Sequence, residues 1–492
     1  MLNSNIKLKT VLLFNPPGPL YQRGEDRCQA NIEESSAVSL REPNDLAYMA
    51  AILRQMGILP RIMDYPAEKL SWDKYENDLK KWSPDALIMS VTTATVLDDL
   101  YAFELAKKIT PSIVAIAKGA LFFSSDLKLL LRPQFASMDY ALAGEAETII
   151  HDLISALIGQ TPLSNIPGII WKHSDGRWIR NRQKEFEIDL DSIPFPARDL
   201  LKNELYIRPD TGAPQATIQT SRGCPSKCIF CLTPAISGQR VRQRSVQNIV
   251  DEIEECVSKY AIRDFFFKAD TFTINKKFVI ELCMEVLNRK LDIRWVANSR
   301  VDTIDAERLE WMKKAGCWLV AFGFESGDDE ILRKMKKDAT AADAVNAVRI
   351  VKEAGLRVYG FFMIGLPWDD HVSVEKTIRF AKDLDCDFSE IHIATPYEGT
   401  ELHAIAKESG LLNDEVIGHD YFHDPTMATL FLSREEIMDY RKKGLRHIYL
   451  SPKYVIKTFS NIHSVQEFRR YASYGMRMVK NVVMQTHQRN PG

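Results

Sequence analysis

No run of apolar residues in this 492-residue chain approaches the ~18 that would cross a bilayer, which argues against a membrane span. An excess of one charge is missing as well. Lys and Arg number 64 against 66 for Asp and Glu, so net charge gives no reason to expect nucleic acid as a partner. The opening stretch, Met1 to Thr10, has no secretory h-region before it runs into Val11-Leu-Leu-Phe14, and a cytoplasmic location is expected. Paired cysteine spacing is absent from Cys28, Cys256, Cys283, Cys317 and Cys386. Their scatter suits buried thiols of a reducing compartment better than a disulfide framework. At this length two or three domains are expected.

What is present is a cysteine triplet. Cys224, Cys228 and Cys231 lie within Ser221-Arg-Gly-Cys-Pro-Ser-Lys-Cys-Ile-Phe-Cys231, where Gly223 and Pro225 favour a tight turn that lets the sulfurs converge. A closed zinc site or a fully ligated iron-sulfur cluster takes four protein ligands, so three thiolates leave one metal position for something other than protein. An incomplete zinc knuckle is the alternative on spacing alone.

The first ~200 residues alternate short apolar strands with helical patterns, as βαβ units do. Strands are expected at Val11–Phe14, Ala86–Ser90, Ile113–Ala117 and Tyr140–Ala143, with a helix over Leu46–Leu53 closed by Gly57. Ligands of open parallel sheets sit beyond the carboxyl ends of strands, so Asn15, Thr92, Thr93, Gly119 and Gly144 are expected to border one crevice. The alternation resumes from ~205 to ~400 with Asp264–Asp270, Ile293–Arg300, Trp318–Glu325, Val358–Gly365 and Ile391–Thr395. The residues alone also allow Asp270 to cap the next helix, Arg300 to be a surface cation and Glu325 to pair with a lysine.

The Cys-x3-Cys-x2-Cys spacing with Phe230 before the last cysteine resembles the cluster loop of the radical S-adenosylmethionine (SAM) superfamily. That resemblance implies a four-iron, four-sulfur cluster on Cys224, Cys228 and Cys231, whose open iron chelates SAM and whose electron releases a 5′-deoxyadenosyl radical. It further implies that Asp270, Arg300, Glu325 and Ser326 serve the polar groups of SAM, with Phe230, Ile364 and Gly365 near the adenine. Upstream, strand-Asn15-Pro-Pro, the Pro43 to Tyr48 helix start, Ser90-x-Thr-Thr93 and Gly144-Glu-x-Glu147 together resemble the cobalamin-binding domain that precedes many radical SAM domains. Asn15, Thr92, Thr93, Gly119, Gly144 and Glu145 are its implied cobalamin contacts. The likeness extends through Ile166-Pro-Gly-Ile169 and Asp189 to Pro196, which resemble the joining segment. Two departures stand out: no Asp-x-His-x-x-Gly loop offers cobalt a lower imidazole, and Lys118-Gly119 replaces a Gly-Gly pair.

Beyond ~405, Ser433 with Glu436 is a capping-box helix start, and helical patterns run over Tyr440–Tyr449, Tyr454–Phe459 and Val465–Met484. Arg441 to Arg446 reads as a solvated basic face. His419, Tyr421 and His423 lie within reach of a site without being assigned to it.

The resulting expectation is an α/β protein in three parts. Residues 1–195 form a Rossmann-like cobalamin-binding domain, 196–405 a partial (β/α)6 TIM-type radical SAM barrel, and 406–492 a mostly helical substrate-side domain. The implied activity is methylation of an unactivated carbon of a small molecule or lipid, with the cluster, SAM and cobalamin as cofactors. An external electron donor such as flavodoxin or ferredoxin is the implied partner. Oxidative cyclisation or carbon-carbon bond formation without methyl transfer is the enzymatic alternative; a cobalamin- or metal-binding regulator is the non-enzymatic one.

Overall fold

The computed structural model describes residues 7–23, 31–32, 40–124, 126–159, 161–208, 210–412, 417–418 and 425–460. Cys28, His419, Tyr421, His423 and the Val465–Met484 pattern lie outside the described residues.

Two sheets carry the fold. The first contains β1 (Thr10–Asn15), β2 (Leu59–Asp64), β3 (Ala86–Ser90), β4 (Val114–Lys118), β5 (Tyr140–Leu142), β6 (Ile169–Lys172) and β7 (Trp178–Arg180). Its order is β2-β1-β3-β4-β5-β6-β7, parallel through β5 and antiparallel from β5 to β7. β3 and β4 are buried throughout, and apolar up to their last residues, Ser90 and Lys118, because both faces are covered. One apolar core lies against helices Asn44–Gln55 and Ala146–Leu157, the other against Trp72–Trp82 and Tyr101–Ile109. The strand order reverses between β1 and β3, which puts the topological switch point beside Asn15 and Ser90.

The second sheet is built from β8 (Gln215–Gln219), β11 (Asp264–Lys268), β12 (Arg294–Ser299), β13 (Cys317–Glu325), β14 (Arg357–Ile364) and β15 (Phe388–Ile393), all parallel, in the order β15-β14-β13-β12-β11-β8. Between β8 and β11 stands a two-stranded antiparallel pair, β9 (Ser221–Arg222) with β10 (Arg242–Gln243), which frames the cysteine loop. Strict alternation along β14 sends Val358, Phe362 and Ile364 into the helix-side core and leaves Tyr359, Phe361 and Met363 half-buried on the opposite, inner face.

The outer edge of β8 is not left open. Glu42 accepts the Thr217 N–H at 2.5 Å, while Gln215 Nε2 donates to the Leu40 carbonyl and Asn44 Nδ2 to that of Thr217. The segment just before the first helix thus covers the free edge of the second sheet. At the other edge, helix Arg434–Tyr449 opens with the expected capping box on Ser433 and packs on β15. Here one expectation is corrected. Arg441 is buried rather than solvated, because its Nε donates to the Ile391 carbonyl at 2.9 Å and its guanidinium faces Glu390. Among the described residues no helix is long and apolar enough to cross a membrane.

Candidate functional site

The cysteine loop leaves the carboxyl end of β8, where parallel sheets gather chemistry. Gly223 enters it at φ 88°, and a Cβ there would collide with the Arg240 carbonyl. The loop is pinned from three sides: Cys224 N–H donates to Gly238 O, Ile229 N–H to Met335 O, and Leu402 N–H to Ile229 O. Cys224, Cys228 and Cys231 are partly exposed, whereas Cys256, Cys283, Cys317 and Cys386 are buried. Only the triplet is therefore open to a ligand among the described cysteines. Burial pushes the Cys228 thiol up to about 11, with Lys337 pulling the other way. Among the described residues, no three His, Cys, Asp or Glu side chains are gathered closely enough to hold a single metal ion.

Asp270 stands beside this loop. Its carboxylate accepts the Gly223 N–H at 2.5 Å and the Thr233 hydroxyl at 3.2 Å, and the Thr233 N–H in turn points at Cys231 Sγ at 3.4 Å. The next helix, Lys276–Asn288, is capped by Asn275, so Asp270 is not needed there. Arg300 is buried, paired with Asp302 at 2.9 Å and donating to the Lys337 carbonyl at 2.8 Å.

Glu325 ends β13 in the left-handed region at φ 65°, which is unfavourable for a residue with a side chain and follows a β-bulge between Gly323 and Glu325. Its carboxylate binds Lys337 Nζ at 2.8 Å, and both groups are buried. Burial works against the Lys337 ammonium, yet Glu325 and Cys228 hold it above the usual lysine range. Lys337 escaped the sequence reading because its partner lies across a helix; only its place between Cys228 and Glu325 marks it.

The remaining expected positions fall less uniformly. Phe230 is half-buried, with Lys337 Nζ 6.0 Å from its ring centre. Ser326 is buried and bonded to Thr377. The Ile364 side chain sits in the helix-side core, so only its backbone faces the strand end. Gly365 follows at φ 87°, and its N–H and that of Leu366 are both held by Asp369 Oδ2. On the inner face His392 packs against Phe361 with ring centres 5.7 Å apart. Burial, opposed by Glu390, keeps its imidazole below the usual histidine range and hence neutral at pH 7.

At the carboxyl ends of the first sheet's strands, where the crevice is expected, Asn15 is buried and its Oδ1 has no hydrogen-bond partner. Thr92 is tied into a local turn with Thr95, and the Thr93 carbonyl receives the Gly418 N–H. Gly119 at φ 157° lies so close to β3 that a Cβ would meet the Val91 carbonyl at 2.5 Å. A Cβ on Gly144 would meet Ile149 at 2.7 Å. Glu145 is claimed by arginine: Arg242 grips it in a two-pronged pair at 2.6 and 3.1 Å, and Arg222 reaches it at 3.2 Å. Ala120, next to Gly119, shares an apolar cluster with Leu232 and Ile236, the first of which follows Cys231 directly. The crevice loop and the cysteine loop are thus packed against each other.

This fold and thiol loop define a class, and the chain belongs to the radical SAM superfamily, whose sequence profile matches residues 218–381. It is 33% identical over 422 residues to an uncharacterized methyltransferase of Pyrococcus horikoshii, covering 86% of this chain and 90% of that one. The anaerobic magnesium-protoporphyrin IX monomethyl ester cyclase of Rubrivivax gelatinosus is 25% identical over 431 residues, 85% of this chain and 75% of the cyclase. In fold the chain is similar to the radical SAM methyltransferase TsrM from Kitasatospora setae, solved with cobalamin and an iron-sulfur cluster: TM-score 0.68 at 15% identity, over 98% of this chain and 100% of that one.

Proposed function

We propose that this protein is a cobalamin-dependent radical SAM enzyme that methylates an unactivated carbon of a small molecule or lipid. The observation that carries the reading is the shared packing of Ala120 with Leu232, which brings the crevice loop of the first sheet against the loop of the three cysteines. The donor set suits a cluster: three partly exposed thiols in one loop, with one iron left for SAM. The unpaired, buried Asn15 Oδ1 suits an amide-rich cofactor in the crevice. When bound, the cluster supplies one low-potential electron and cobalamin a methyl group. The chain supplies placement. Lys337 and Arg300 offer charge to the SAM carboxylate, Asp270 and Glu325 accept from its amino or ribose groups, and the Gly365 turn offers backbone to the adenine. The working division remains 1–195 for cobalamin, 196–405 for a partial barrel and 406–492 for the substrate side, with a flavodoxin- or ferredoxin-type reductant from outside.

Anaerobic reconstitution tests this. An oxygen-labile cluster whose spectrum responds to SAM, together with bound cobalamin, is expected; stoichiometric zinc with no such response overturns the assignment. Cys224→Ala, Cys228→Ala and Cys231→Ala should each abolish SAM cleavage while cobalamin stays bound. The likeness to a cyclase supports a second reading, cyclisation without methyl transfer. Methyl transfer predicts both S-adenosylhomocysteine and 5′-deoxyadenosine, and cyclisation only the latter.

A further inference from the structure

Arg222 and Arg242 face each other directly across the β9–β10 ladder, an arrangement that repels unless anions intervene. The anions come from the other sheet. Glu145 and Glu147, at the start of helix Ala146–Leu157, reach across so that Arg222 binds Glu147 and Glu145, while Arg242 binds Glu145. Arg242 also donates to the carbonyls of Glu187 at 2.6 Å and Ser237 at 2.9 Å. The four side chains are 3–12% exposed. Burial pushes the Glu147 carboxyl up, but Arg222 outweighs it and holds it below the usual carboxylate range. The Glu147–Arg222 pair is therefore charged as well as buried.

Its position is specific. Arg222 is two residues before Cys224, and Glu145 follows Gly144 of the crevice. A buried ion cluster adds little net stability compared with apolar packing, and its best-attested use is to fix one geometry among several. Apolar packing of Ala120 with Leu232 and Ile236 joins the cysteine loop to a different loop of the first sheet, the one after β4, and apolar packing slides more easily than paired charges do.

Resting on the function proposed above, we propose that the Arg222, Arg242, Glu145 and Glu147 cluster is the positioning device that sets the separation of the two cofactors. It locks the strand pair that frames the cysteine loop to the Gly144–Glu147 turn after β5 in a single register. Glu145 and Glu147 are accordingly positioning residues and not cobalamin ligands.

The test uses the full chain carrying both cofactors, with pulsed electron-spin distance measurement between cob(II)alamin and the reduced cluster. The wild type should give one narrow distribution. Glu147→Gln and Arg242→Gln should broaden it, and Glu147→Asp, which keeps the charge but shortens the reach, should move its mean by about 1 Å, a misplacement that can cost such chemistry about 100-fold. Iron and cobalamin content should stay as in the wild type, and 5′-deoxyadenosine formation, which needs the cluster, SAM and a reductant but not cobalamin, should change less than about twofold. An unchanged distribution in all three variants, with both cofactors bound, overturns the inference and leaves the proposed function standing. A wild type that takes up iron but no cobalamin overturns the proposed function, and the inference with it. If the Gln variants do not fold, the Glu147→Asp shift decides.

Discussion

Glu325 shows how one backbone choice prepares a charged group. Ending β13 at a positive φ turns the side chain toward Lys337, and Gly323 leaves the room, since a Cβ there would strike the Glu325 carboxylate. Gly323→Ala should therefore displace the carboxylate without touching the strand's core side. Losing one charge-assisted hydrogen bond of about 1.5–3 kcal/mol predicts SAM affinity roughly 10- to 100-fold weaker by calorimetry, with cluster content unchanged. Unaltered affinity would remove Glu325 from the site. Asp369 makes a pH prediction. Burial pushes its carboxyl up from 3.8 to about 6, against the hydrogen bonds it accepts from Ser373, Leu366 and Gly365. A carboxyl raised on folding holds its proton more tightly when folded, so its stabilising contribution is present below about 4 and is lost as pH rises through about 6, at most about 3 kcal/mol. Asparagine imitates the protonated form: its oxygen can keep the two N–H donors and its amide can face Ser373. Asp369→Asn should melt above the wild type at pH 8 and level with it near pH 4 in scanning calorimetry; a pH-independent difference would refute this.

On the proposed function the cysteine loop is the element on which the chemistry depends, and its entry is sterically determined. Gly223 has both a left-handed backbone and no room for a Cβ against the Arg240 carbonyl. Gly223→Ala should cut the iron retained after reconstitution severalfold while thermal unfolding moves only by a few degrees, because Gly223 itself lies outside the apolar cores of the two sheets. Full iron loading would show that the loop reshapes freely. Elements like β3 and β4 were legible because strands buried on both faces read as continuous apolar runs. β2 and β8 give no such run, and the reason is physical. Both are edge strands, Leu-Pro-Arg-Ile-Met-Asp and Gln-Ala-Thr-Ile-Gln, whose polar residues belong to an exposed rim or an inner face. The same limit applied to the site. The cysteines announce themselves by spacing, whereas the fate of Glu145 depends on an arginine 97 residues away, and no local pattern encodes that pairing.

At the scale of the whole molecule, the joining segment ties one sheet to the other. Ala197 packs in the first sheet's core and donates its N–H to Ala47, while the next side chain, Arg198, crosses to Glu252 of helix Val246–Tyr260 at 2.6 Å and to the Thr217 carbonyl of β8 at 2.8 Å. Glu252 is fully buried, and although burial pushes its carboxyl up, Arg244 and Arg198 together hold it below the usual range. One carboxylate thus faces two buried guanidinium groups from different parts of the chain, with Glu42 lending Arg198 further negative charge. Glu252→Gln removes the shared anion and leaves both cations in the interior, which should cost about 3–5 kcal/mol. Arg198→Met leaves Glu252 still paired with Arg244, so it should cost less. Urea unfolding followed by tryptophan fluorescence checks the order, and because the lost anion sits at the joint, the Glu252→Gln transition should also be broader, or more clearly separated into two steps, than that of the wild type. A smaller loss for Glu252→Gln than for Arg198→Met would mean that the joint is held by packing, and that its charges merely fill space between the sheets.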